Sequence, residues 1–264
     1  LGSFAVAVGG RPISPSAWQS RKARSLLKFL VVRRGVPVAR EALAQLLWPD
    51  DVMGAQRKLA VTISTVRRIL DPQERYPSNH FVASNRASLW LEVTSAWVDL
   101  YRFEELARRG LRGDDDGPLL EAAESLYRGD FLEEDLYEDW AAGVREGARG
   151  LYLDVVHRLA ALSGRAGRWV DAAARYRRIL EWDPYDEEAH LALVGILVSQ
   201  GRYGQARRAY RLYAQRMEDL ALEAVPFHLA VGTIQRGDGA AAREGGPSSG
   251  GRSVGAAMAG PRGV

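Results

Sequence analysis

The chain has 264 residues, 47% of them apolar and none of them cysteine, so it has room for two cored domains and excludes disulfides and thiolate metal sites. No apolar run approaches the roughly 20 residues that span a bilayer, which argues against a membrane partner. The net charge of +3 is unevenly spread: residues 1–98 carry +8 and residues 99–236 carry −6, so a polyanion is expected to meet the first part only.

The opening segment LGSFAVAVGG is short and lacks a basic leader, so it reads as a strand and turn rather than a secretion signal. Phe4, Val6 and Val8 alternate, Gly9-Gly10 supplies a turn, and Arg11-Pro12-Ile13 resumes, which predicts a β-hairpin. Ser20 is a candidate N-cap for a first helix carrying Ala23, Leu26, Leu27 and Leu30 inward, ended by Gly35. A second helix is expected over Arg40–Trp48, with Leu43, Leu46 and Leu47 facing inward and Pro49 as its stop.

The stretch Met53–Asp71, with Asp50 or Asp51 as its cap, predicts the helix of most interest. Leu59, Ile63, Val66 and Leu70 recur at steps of four, three and four and line one face. Arg57, Lys58, Thr62, Thr65 and Arg68 lie largely away from that face, and Arg67 sits near its boundary. Such a helix can bury one stripe and offer the other to phosphates and base edges. In HFVASNRASLWLEV, Leu89, Leu91 and Val93 alternate with polar positions, and Asn85-Arg86 falls where a turn is expected, which predicts a second hairpin with Arg86 near its tip. Three helices followed by a hairpin is the winged helix-turn-helix plan, in which the third helix enters the major groove and the wing touches backbone or minor groove.

RKARSLLKFLVVRRGVPVAREALAQLLWPDD, followed by AVTISTVRRIL, resembles the OmpR/PhoB-type winged helix, and more closely the version in antibiotic-regulatory (SARP, AfsR-like) activators. "LLWPDD" and "ISTVRRIL" are its most specific parts. That family usually has a longer side chain, often Arg, where this sequence has Thr65.

Beyond it, Val98–Arg109 opens a helical region, Asp114-Asp115-Asp116-Gly117 reads as a solvated loop, and Pro118 starts a helix through LLEAAESLYRGDFL. GRWVDAAARYRRIL and GRYGQARRAYRLY begin at Gly167 and Gly201, the 34-residue period of the tetratricopeptide repeat. Trp169, Ala172 and Tyr176 match Tyr203, Ala206 and Tyr210. The preceding helices are expected over residues 151–163 and 187–199, the second capped by Asp186. YRGDFLEEDLYEDWAAGVREGARGLYLDVVHRLA, with these repeats behind it, resembles the bacterial transcriptional activation domain, which follows the winged helix directly in the same family. The chain starts at the winged helix, so a phosphate-accepting receiver ahead of it is not expected. From about Gly237 the sequence is rich in Gly, Ala, Ser and Pro and reads as a disordered tail or linker.

The expected fold class is therefore mostly α: a winged helix with small β-hairpins over residues 1–96, an all-α TPR-like domain over 97–236, and a tail over 237–264. His80, His157, His190 and His228 are scattered without metal-ligand spacing, and no phosphate-binding loop, dinucleotide fingerprint or nucleophile elbow is present. No cofactor, metal or enzyme activity is expected. Arg57, Lys58, Thr62 and Thr65 are the candidates for the groove face. Arg67, Arg68, Arg21, Lys22 and Arg24 are candidates for phosphates, with Arg86 on the wing.

The resemblance implies a cytoplasmic, nucleoid-associated activator. It would bind direct-repeat promoter DNA as a homodimer and contact RNA polymerase. Two alternatives stand beside it: a protein-interaction adaptor with weak, non-specific DNA binding, and the DNA-binding front end of a larger sensor.

Overall fold

The computed structural model describes residues 1–18, 20–51, 53–113 and 116–231. The acidic run at Asp114 and Asp115 and the tail beyond Gly237 lie outside them. Among the described residues the chain forms two compact units, Leu1–Ile179 and a second that begins at Leu180.

In the first unit, β1 (Ala7–Val8) and β2 (Arg11–Pro12) form the expected opening hairpin, with Val8 facing Arg11. Helix α1 (Arg21–Val32) begins at Ser20, whose hydroxyl accepts from the Ala23 amide, and buries Ala23, Leu26, Leu27, Lys28 and Leu30. A strand absent from the sequence reading follows, β3 (Val38–Ala39), and leads straight into α2 (Arg40–Leu47). The buried face of α2 is Leu43, Ala44 and Leu47; Leu46, expected inside, lies on the other flank and is exposed, because the small Ala44 takes the inward flank instead.

Helix α3 (Ala55–Leu70) starts two residues later than the sequence suggests. Its N-cap is Gly54, and Asp51 acts one step earlier by accepting from the Gly54 amide at 2.8 Å. Leu59, Ile63, Val66 and Leu70 are all buried in one core with Leu26, Leu30, Leu43 and Leu47. The wing is β4 (Val82–Ser84) and β5 (Ser88–Leu91), and β5 lies between β4 and β3 in a three-stranded antiparallel sheet. Leu89 opposes both Val38 and Ser84, so the wing is tied to the entrance of α2.

Helices α4 (Asp99–Arg112) and α5 (Gly117–Leu126) pack closely. A Cβ on Gly110 of α4 would come within 2.7 Å of the Leu120 side chain of α5, so a side chain there would require Leu120 to shift. Helix α5 stops at Leu126 instead of continuing through RGDFL. The Tyr127 hydroxyl donates to Asp130, and Leu132 adopts a left-handed backbone with its amide on the Gly2 carbonyl. Glu133–Asp135 is a single turn of 3-10 helix, separate from α5. Helix α6 (Asp139–Arg165) is far longer than the 151–163 expected: its first turn meets α1 through Trp140, and the helix packs on α4 and α5.

Among the side-chain contacts that join the winged helix to the helices behind it, three are prominent. Phe29 of α1 meets Trp140 of α6 edge to face, with ring centroids 5.6 Å apart. Arg34 pairs with the buried Glu104 and lies 4.9 Å from the centre of the Tyr101 ring, whose hydroxyl donates to the Val31 carbonyl. Burial pushes the Tyr101 hydroxyl up to about 12. In the third contact, Lys28, only 4% exposed, pairs with Glu134 at 3.0 Å and with Asp135. Arg145, 5% exposed, sets that acidic turn by donating to the carbonyls of Phe131, Asp135 and Leu136.

Burial alone would raise the Glu134 carboxyl, but the Lys28 ammonium and the Phe4 amide outweigh it and hold the group below its ordinary value of 4.5. A depressed carboxyl stabilises the fold fully above its unfolded value and loses that contribution as the pH falls through the folded value. Thermal unfolding followed from pH 5 to pH 3 is therefore expected to show less acid loss in Glu134→Gln than in the parent; equal slopes would remove Glu134 from the cause.

Helix α7 (Trp169–Trp182) follows α6, and the second unit contains α8 (Glu187–Ser199) and α9 (Tyr203–Asp219). The 34-residue period is repeated in the backbone. The Arg168 amide bonds the Ser163 carbonyl and the Arg202 amide bonds Leu197, each at 2.8 Å. Between them, Gly167 and Gly201 take left-handed φ values of 71° and 70°, where a side chain would be strained. Ala172 and Ala206 are both fully buried. Asp186 caps α8 through the Ala189 amide, as expected. His190 is buried with Nε2 3.0 Å from the Pro184 carbonyl, a packing role.

Candidate nucleic-acid interface

The outward stripe of α3 is built by the same periodicity that builds its core. Steps of four, three and four from Arg57 give Val61, Ser64 and Arg68; Lys58 and Thr65 lie on the same side. Arg57 and Arg68 are exposed, and Thr65 is half-buried. Lys58 is 52% exposed and pairs with Asp51 at 2.6 Å, and that hydrogen bond lowers the Asp51 carboxyl. A shallow groove beside the helix is lined by Ala60, Val61, Ser64, Thr65, Arg68 and Glu74.

Other sequence candidates are engaged elsewhere. Thr62 is 6% exposed, and its hydroxyl donates to the Lys58 carbonyl. Arg67 points to the wing, donating to the Val82 carbonyl at 2.8 Å, Asn79 Oδ1 at 3.0 Å and Ser84 Oγ at 2.8 Å. Burial, with Arg40 nearby, lowers the affinity of the Arg67 guanidinium for its proton. Arg24 pairs with Glu134 at 3.3 Å and lies 5.5 Å from the Phe4 ring centre. Arg21 and Lys22 remain exposed at the start of α1, where a phosphate can approach.

The wing tip is closed by Asn85, whose side chain accepts from the Ala87 and Ser88 amides, and this leaves Arg86 exposed. Arg40, which the sequence reading passed over, donates through Nε to the Asn85 carbonyl and so braces the tip from α2. Ala60, Val61 and Ser64 were also passed over. The helical step alone places them outward beside Arg57 and Arg68.

No group of His, Asp and Glu suited to a metal ion occurs among the described residues, and none of their helices is long and apolar enough to cross a membrane.

The family model described as "Transcriptional regulatory protein, C terminal" matches residues 16–83, and the "Bacterial transcriptional activator domain" matches residues 98–226. Both are transcription-regulator domains rather than enzymes. A comparison with curated protein sequences finds no match. Among solved structures, the chain is similar to Mycobacterium tuberculosis EmbR, determined in complex with a low-affinity phosphopeptide. The identity is 24% and the TM-score 0.71, with 90% of this chain and 64% of that chain covered, so the likeness speaks for the fold. The two matched domains stand in the order of an OmpR/PhoB-type winged helix followed by an activator domain, which is a SARP-like architecture.

Proposed function

We propose that this chain is a sequence-specific DNA-binding activator whose α3 enters the major groove, with residues 1–96 as the DNA-binding part and 97–236 as the activation part. The observation that carries the reading is the outward stripe of α3. Arg57, Lys58, Thr65 and Arg68 line one side of a helix whose other side is fully committed to the core. Arg57, Lys58 and Thr65 are assigned to base edges. Arg68, Arg21 and Lys22 are assigned to phosphates and Arg86 to the backbone beside the wing, which set affinity and register. Thr62, Arg67 and Arg24 act in support, through the contacts already described.

The same reading includes a homodimer on direct repeats, with half-sites about one helical turn apart, and contact with RNA polymerase through the helices behind the winged helix. Its setting is the cytoplasm, at the nucleoid, and it needs no cofactor and no catalytic group.

Selection from a random duplex library is the test. The enriched sequence is expected to hold its affinity above a scrambled duplex by a factor of about 10³ or more. Arg57→Ala should lose about tenfold on that sequence and relax one base position. Equal binding of both duplexes, vanishing steeply with salt, would leave an electrostatic anchor and favour an adaptor role for the repeats.

A further inference from the structure

The middle of the outward α3 stripe is apolar. Val61 is 62% exposed, and no other large apolar side chain of this helix is exposed to that degree. A single exposed valine is ordinary on a protein surface. Its surroundings here are not. Arg57 and Lys58 flank it one turn before and Arg68 two turns after, and with Ala60 and Thr65 it forms the wall of the groove beside the helix.

The hydroxyls that could have read base edges as donors are already spent. Thr65 Oγ1 donates to the Val61 carbonyl at 3.0 Å, and Ser64 Oγ donates to Ala60 at 3.2 Å. With those protons committed these positions have no donor to offer, and Ala60 and Val61 supply apolar surface beside them. Glu74, an anion, also lines the groove.

We infer that Val61, flanked by Ala60 and the Thr65 methyl, is a specificity-determining contact that reads the C5 methyl group of thymine in the major groove. The occupant follows from charge and shape together. The surrounding cations, within a part of net charge +8, call for a polyanion, and the thymine methyl is the apolar group that unmodified DNA displays in its major groove. The inference rests on the proposed DNA-binding reading and extends it from an unspecified sequence to a required base feature.

Replacing thymidine by deoxyuridine removes that methyl and nothing else. With the full 264-residue chain and its selected duplex, each thymidine is replaced singly and binding is measured at fixed salt. One or two positions are expected to lose about fourfold, the value of one buried methyl-sized group. Val61→Ala should bind the parent duplex correspondingly more weakly and no longer distinguish thymidine from deoxyuridine at the same position. Val61→Thr, which keeps the branched shape, controls for folding and should retain part of the discrimination. A selected duplex that tolerates deoxyuridine everywhere overturns this inference and leaves the DNA-binding reading intact. Failure to select any duplex overturns both.

Discussion

Removing both carboxylates of the acidic turn, Glu134→Ala with Asp135→Ala, is expected to cost about 3–5 kcal/mol of unfolding free energy. The cause is the lysine left behind. Lys28 sits on the inward face of α1 at 4% exposure, beside the Phe4 ring at 5.0 Å, and its ammonium is held by these two side chains. Without them a charge stays buried and unpaired. Lys28→Met in the same background should return most of the loss, because an apolar side chain of similar length fills the site without a charge to solvate. Urea unfolding of the four variants closes the cycle: a strong coupling between position 28 and the carboxylates is expected. If the double alanine variant unfolds at the parent midpoint, the ammonium is reaching water and the contact is not a fastener. The same variant also releases Arg24 from Glu134, so its non-specific DNA binding should strengthen at low salt.

That fastener shows where sequence reading stops. The four-three-four spacing of Leu59, Ile63, Val66 and Leu70 places them in the core because a helix periodicity is a local property. Ser20 and Asp186 are legible as caps for the same reason. Lys28 and Glu134 are 106 residues apart, and nothing local marks either as the other's partner. The pairing turns an apparent surface lysine into a buried one and draws Glu134 and Asp135 of a charged stretch into an ordered turn. Strand β3 was missed for a related reason: two residues have no readable alternation and exist as a strand because β5 pairs with them. On α3 the direction of the stripe was legible, yet the depth of Thr62 was not. One step of 100° separates a half-exposed flank from a buried one, and the neighbouring packing decides which it is.

Arg67→Ala is expected to lose about 2–3 kcal/mol of stability and to weaken DNA binding without changing base preference. Its guanidinium joins α3 to the wing through Val82, Asn79 and Ser84, and the Val82 side chain is fully buried. Truncation would leave the Val82 carbonyl and two wing side chains without their donor. Arg67→Lys should recover little, since a single ammonium cannot span acceptors that the planar fork meets from both Nε and Nη2. The wing carries Arg86 at its tip, so a loosened wing surrenders a backbone contact, and affinity should fall alike for the selected and scrambled duplexes. Hydroxyl-radical footprinting is expected to lose protection where the wing lies and keep it where α3 lies. A variant that keeps its stability but shifts its preferred base would instead place Arg67 against the bases, with the wing held by strand pairing alone.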